Sequence, residues 1–210
     1  MKRLMIICCC TLMAAASMAQ ETAIIKLNPP DKERGLPVMK ALSLRESASA
    51  WDATSLSFQD LSDLLWAAIG INRPDEGKRT APSARNAQDI DLYVFMKEGV
   101  YFYDAKEHLL TPVADGDYRN AVAGRQEEVA VAPVICLMVS DISRFSGGED
   151  SLKLSLAAMD AGTVSQNINI FCAGTGLATR TRAIMDQQKI REILKLKDTQ
   201  HPMLNNPVSY

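Results

Sequence analysis

The sequence predicts an α+β fold, with a mostly antiparallel central sheet flanked by helices. Three observations carry this reading. Helical and strand patterns succeed one another without a regular strand-helix alternation, which argues against a parallel sheet. Two β-rich runs, 90–96 and 100–103, are separated only by Lys97-Glu98-Gly99, the spacing of a hairpin. Residues 134–139, VICLMV, form an unbroken apolar run that suits a central strand buried on both faces.

Residues 1–19 are set apart before the elements are read. Lys2 and Arg3 precede the apolar stretch 4–16, and Ser17-Met18-Ala19 supplies small residues for cleavage before Gln20, the layout of a secretory signal peptide. The apolar stretch is shorter than the ~20 residues a spanning helix needs. An exported, periplasmic protein with no integral membrane segment after cleavage is therefore expected. Cys8, Cys9 and Cys10 sit in the middle of the run rather than at its end, so no lipid anchor is expected there. Residues 20–36 carry Pro29, Pro30 and scattered charges without a period and read as an N-terminal arm, leaving 37–210 as the domain.

Within the domain, 37–44 predicts a short helix with Pro37 at its first position and Val38, Ala41 and Leu42 on one face. Ser57 and Asp60 resemble a capping box, Phe58, Leu61, Leu64, Leu65 and Ala68 follow at helical spacing, and Gly70 stops this core-facing helix. After the hairpin, 108–112 leads into a polar turn at Asp115-Gly116-Asp117. Residues 120–131 predict a helix that ends before Pro133. Beyond Ser146-Gly147-Gly148 a long helix covers about 152–173, with a break near Gly162, and its small and apolar residues Ala157, Ala158, Ala161, Val164 and Ile168 suit close helix packing. A strand at 177–181, a helix at 187–196 and an extended tail at 205–210 complete the chain.

Signal cleavage removes Lys2 and Arg3 and no acid, leaving 21 basic against 25 acidic residues, a balance that argues against nucleic acid as a partner. Of five cysteines only Cys136 and Cys172 remain, one in the apolar run and one in the long helix, so two buried free thiols are expected rather than a bridge. His108 and His201 are the only histidines. Neither has a Cys, a Glu or a second His at ligand spacing, so they read as surface or loop residues and no metal site is expected. No GxSxG elbow, HExxH helix or Walker loop is present, and Gly174-Thr175-Gly176 reads as a helix stop rather than a dinucleotide loop. With no acid, base or nucleophile to assign, any catalysis would be carried by a bound cofactor.

Five stretches carry a resemblance: ALSLRESASAWD at 41–52, LSDLLWAAIGINRP at 61–74, RTAPSARNAQDIDLYVF at 79–95 with GVYFYD at 99–104, DAGTVSQNINIFCAGTGLATRTRAIMD at 160–186, and NPVSY at 206–210. In this order they resemble the nitroreductase family of flavin mononucleotide (FMN) enzymes, above all its small members related to the azoline-peptide dehydrogenases. The resemblance implies an intertwined homodimer with two flavin sites. It places Arg45 and Ser47 on the FMN phosphate, with Glu46 and Ser49 in the same motif. Pro82, Ser83, Ala84 and Asn86 would face the flavin of the partner subunit, with Gln88 in support. Arg182, Ala183 and Ile184 would lie beside the reactive ring edge, where a backbone N–H meets the nitrogen that accepts hydride. The implied reaction passes hydride from NAD(P)H through FMN to a small organic acceptor, such as a nitro or quinone-like compound, with no catalytic side chain. The chain departs from the family at Glu46 and Ser49, where basic residues are common, and at Ala183 and Ser209, where glycines are. Arg180, Arg182 and Arg85 are the candidates to compensate. The alternative is a non-catalytic binding protein that keeps this fold with a degenerate phosphate site.

Overall fold

The computed structural model describes residues 23–210, so the expected signal peptide lies outside the described residues. The elements are β1 Ile25–Lys26, α1 Val38–Leu44, α2 Phe58–Ile69, β2 Ile71–Arg73, β3 Lys78–Arg79, β4 Ile90–Phe95, β5 Gly99–Asp104, β6 Leu109–Asp115, α3 Arg119–Ala123, β7 Val134–Asp141, α4 Asp150–Thr175, β8 Ala178–Thr179, α5 Gln187–Leu194 and β9 Gln200–Ser209. Seven strands form one sheet in the order β1-β6-β5-β4-β7-β9-β8, and each neighbouring pair is antiparallel. Strands β2 and β3 pair separately.

β7 shows why its sequence is apolar at every position. Val134, Cys136 and Met138 enter one core with Leu64 and Leu65 of α2 and Val164 and Ile168 of α4. Ile135, Leu137 and Val139 enter a second core with Val122 of α3 and Ile190 and Leu194 of α5. Side chains alternate faces along a strand, so a sheet with helices on both sides needs apolar residues at odd and even positions alike. β4 divides in the same way, Leu92 and Val94 to the first core, Tyr93 and Phe95 to the second.

α2 begins as expected, with Ser57 Oγ accepting from the Asp60 N–H at 3.0 Å. It ends at the expected Gly70, though not through a left-handed cap. Gly70 is extended (φ −64°), and a Cβ there would fall onto the Trp66 ring and carbonyl. Close packing by Trp66 requires glycine at this position.

Several boundaries differ from the sequence reading. Residues 108–112 belong mostly to β6, and Pro112 sits opposite Tyr101 where the β5/β6 register shifts, a bulge that tolerates a residue without an N–H. The helix expected over 120–131 is split into α3 and a 3-10 turn, Glu127–Val131. α4 runs unbroken through Gly162. The tail at 205–210 is the end of β9, a ten-residue strand inside the sheet. Residues read as an arm pack on the domain: β1 pairs with β6, Leu27 is buried, and Arg34 pairs with Asp60 and Asp63 of α2. His108 sits in the turn between β5 and β6, as a loop residue, and ties down that segment through its 2.8 Å bonds to Tyr103 Oη and the Asn28 carbonyl; it is half-buried, and burial lowers its pKa. On α1 only Ala41 is buried, while Val38 and Leu42 are 59% and 44% exposed. Cys136 and Cys172 are free and buried in the first core, and burial raises the Cys136 thiol to about 12. Among the described residues no helix is long and apolar enough to cross a membrane.

Candidate functional site

The loop 82–88 leads into β4 and holds three of the five non-glycine residues with positive φ among the described residues. Arg85, Asn86 and Gln88 have φ of 56°, 54° and 46°. Left-handed backbone costs a residue with a side chain on the order of 1 kcal/mol, so three such residues within four persist only where the surroundings impose them. Here the surroundings do so. Ser83 Oγ accepts from the Gln88 N–H (2.9 Å), Gln88 Nε2 donates to the Gly77 carbonyl (3.0 Å), and Arg144 Nη1 donates to the Gln88 carbonyl (2.9 Å). Arg85 Nη1 donates to the carbonyls of Ser146 and Gly147. Thr163 of α4 bonds the Pro82 carbonyl at 3.2 Å. What the loop leaves exposed is Pro82, Arg85 and Asn86.

Two buried carboxylates fasten this loop at either end. The Ala84 N–H donates to both oxygens of Asp160 on α4, at 3.0 and 2.8 Å. Asp89 is fully buried; its Oδ2 accepts from Ser140 Oγ at 2.5 Å, while its Oδ1 faces no donor. Burial pushes the Asp89 carboxyl up to about 6, with the Asp160 carboxylate beside it raising it further and the Ser140 hydroxyl opposing. The raised Asp89 carboxyl and its unpartnered Oδ1 mark the base of the loop as the place where this acid holds its proton more tightly than in water. Neither acid stood out in the sequence, because a lone aspartate before a strand and another inside a helix carry no spacing signal.

The segment 45–49 is held differently. Arg45 ends α1, with its N–H on the Ala41 carbonyl at 3.0 Å. Arg45, Glu46, Ser47 and Ser49 are exposed, and their side chains make no hydrogen bond or ion pair among the described residues. One backbone bond, from the Ala48 N–H to the Thr179 carbonyl at 2.9 Å, lays the segment beside β8. Arg180 follows β8 and stacks on the Trp51 ring, 5.7 Å from its centroid, with no carboxylate partner among the described residues. The buried Trp51 Nε1 has no acceptor either. Two unmet donors therefore stand next to the segment expected to take a phosphate.

Arg182 turns inward. Its guanidinium donates to Gln126 Oε1, Asn205 Oδ1 and the carbonyls of Val122 and Ala123 at the end of α3. Burial, then the charge of Arg180, lowers its pKa. Its backbone exchanges two bonds with Asn205, at 2.8 and 2.7 Å. Arg182 and Arg85 are thus both committed within the chain, and of the three candidate compensating arginines Arg180 alone is unpaired among the described residues. The next two residues, Ala183 and Ile184, are exposed, and their N–H groups have no partner among the described residues. Gly124 (φ 60°) makes this possible, since a Cβ there would come within 3.3 Å of the Met185 backbone and push the segment out.

Within one chain these parts form two groups. Segments 45–49 and 178–184 adjoin through Ala48 and Thr179. The loop 82–88 enters β4, which is separated from the 178–184 segment by β7 and β9, three strand spacings or roughly 14 Å across the sheet.

Residues 42–210 match the Nitroreductase family. A solved nitroreductase-like structure from Ralstonia eutropha is 30% identical, covers 93% of this chain and 91% of its own, and superposes with a TM-score of 0.82. A Methanocaldococcus jannaschii protein provisionally described as a nitroreductase is 28% identical over 188 residues, 85% of this chain and 93% of that protein. A Staphylococcus epidermidis structure provisionally described as an NAD(P)H:FMN oxidoreductase shares the fold alone, at 11% identity and a TM-score of 0.63 over 86% of this chain and 90% of its own. The antiparallel sheet between two helical layers, the strained loop ahead of β4 and a match over most of the chain agree: this protein belongs to the nitroreductase family.

Proposed function

We propose that this chain is an exported, periplasmic, FMN-dependent oxidoreductase that works as a homodimer and passes hydride from NAD(P)H to a small organic acceptor. The observation that carries the reading is the loop 82–88, whose three left-handed residues are imposed by bonds from three other segments, while Pro82 and Asn86 stay exposed. Backbone strain of this kind is retained where a surface must be held for a ligand.

The residues present fit FMN at both ends. Arg45 offers paired charged hydrogen bonds to a phosphate and Ser47 a further hydroxyl. Arg180, unpaired and adjacent, supplies a second positive charge where Glu46 and Ser49 replace basic residues. The free N–H groups of Ala183 and Ile184 are donors for the ring edge. FMN, when bound, supplies two-electron hydride chemistry, so the protein's task is to bind, orient and exclude water. Pro82 to Asn86 of a second copy would complete each site. Exposed Val38 and Met39 of α1 and Leu152 and Met159 of α4, between 45% and 74% exposed, form the apolar surface that such a copy would cover.

Purified protein should be yellow, release FMN on denaturation, elute as a dimer and oxidise NAD(P)H in the presence of a quinone or nitroaromatic acceptor. Colourless protein that also fails to bind added FMN would overturn this reading. That result would favour the second one, a binding protein with a degenerate phosphate site, which the exposed and unanchored Glu46 and Ser49 support.

A further inference from the structure

A cavity of about 550 Å³ opens behind the loop 82–88, between the β2/β3 pair and the sheet. Its walls include Ile69, Ile71, Ile90, Leu92 and Phe102, and its rim Lys106. The polar feature that sets it apart is Arg79. One guanidinium nitrogen, Nη1, donates to the Ile90 carbonyl at 3.0 Å. Nε is buried with no acceptor, Nη2 makes no hydrogen bond, and no carboxylate pairs with Arg79 among the described residues.

The two acids that line the cavity are already engaged. Asp91 is held by both terminal nitrogens of Arg144, at 2.9 and 2.6 Å. Asp104 accepts the N–H groups of Lys106 and Glu107 in its own turn. Arg79 therefore faces the cavity with no carboxylate hydrogen-bonded to it, attracted by the charges of Asp91 and Asp89 without contact, and Lys106 is exposed at the edge. The unused Nε and Nη2 form the guanidinium edge that makes two parallel bonds to a carboxylate.

We propose that this cavity binds a small organic carboxylate, its acid group on the Nε/Nη2 edge of Arg79 and its apolar body against Ile69, Ile71, Leu92 and Phe102. The volume lies within the range of small-molecule pockets and accommodates one aromatic ring on a short acid chain. The proposal does not depend on the flavin reading, because of the loop 82–88 only Gln88 lines this cavity.

The probe is 3-phenylpropionate, titrated by calorimetry into the full mature chain with FMN in excess, against its uncharged amide as control. The acid should bind saturably and more tightly than the amide by roughly tenfold to a hundredfold, the range of a charge-assisted hydrogen bond. Arg79→Met should erase that preference. Ile71→Trp, which narrows the cavity and leaves Arg79 in place, should weaken acid and amide alike. Equal binding of acid and amide to the wild type, or no saturable binding, overturns the proposal, as does an unchanged preference in Arg79→Met. If Arg79→Met does not fold, the wild-type preference and the equal weakening of acid and amide by Ile71→Trp decide the matter.

Discussion

The loop 82–88 and the segment 45–49 are both read as cofactor contacts, yet they are built in opposite ways. The loop has strained backbone, two buried acids at its base and ties to α4, the β2/β3 turn and the segment after β7. The segment has unstrained backbone, exposed side chains and a single bond to β8. One part has its conformational cost met during folding, and the other orders its side chains only when a ligand arrives. Affinity for a phosphate-bearing ligand should thus be limited at 45–49, and that end should respond to substitution without loss of fold.

The largest test of this contrast is Arg182, which lies within the candidate site but supports structure. Arg182→Ala strands two α3 carbonyls and Asn205 and removes a buried guanidinium that makes four hydrogen bonds, so a loss of about 3 to 5 kcal/mol is expected. Urea denaturation of the flavin-free protein measures it. An unchanged midpoint would mean that the inward bonds of Arg182 contribute nothing to the fold.

Asp89 comes next. Its folded pKa of about 6 lies above the ~3.9 of an unfolded aspartate, so the folded state holds the proton more tightly. The stabilisation from this group is fully present below about pH 4 and is lost as pH rises through about 6, a change of up to about 3 kcal/mol. Asp89→Asn keeps an acceptor for Ser140 and donates to Asp160 without a proton to lose. Thermal midpoints across pH 4 to 8 should show the variant flatter than the wild type and more stable than it at pH 8. Parallel curves would mean that Asp89 does not set this pH dependence.

Arg45→Ala should act on the other region only. FMN affinity should fall by roughly thirtyfold, about 2 kcal/mol, from the loss of a charged pair, while the flavin-free thermal midpoint stays put because the side chain is exposed and unbonded. Fluorescence titration with FMN and a melting curve separate the two effects. A fall in stability as large as the fall in affinity would place Arg45 among the structural residues.

The same contrast explains what could be read from the sequence. The hairpin, the doubly buried β7, the capped α2 and α4 were legible because local period and turn chemistry agree with the final packing. The loop 82–88 stood out through resemblance and by its change from small polar residues to strand alternation. β9 did not, since Pro202, Asn205, Asn206 and Pro207 are poor strand formers that long-range pairing with β7 overrides, and the asparagines are buried only because they bond Arg182, Ser165 and Thr179. Asp89 and Asp160 meet across 71 positions of sequence, and the solitary Arg180 is distinguished from Arg182 only by which one finds carbonyls. These are properties of tertiary contact, for which no local pattern exists.

The smallest effect sharpens the comparison best, because it adds rather than removes. Ser49 is exposed and unbonded beside Ala48, the residue that anchors the segment to β8. Ser49→Lys places a flexible cation there, with Glu46 as its nearest competitor within the segment. An exposed pair gains about 1 kcal/mol at most, so FMN affinity should rise by no more than about fivefold. Riboflavin, which lacks the phosphate, should bind as before, and the gain for FMN should fade as salt is raised. If riboflavin gained equally, position 49 would lie along the ring rather than at the phosphate, and the roles of the two regions would have to be redrawn.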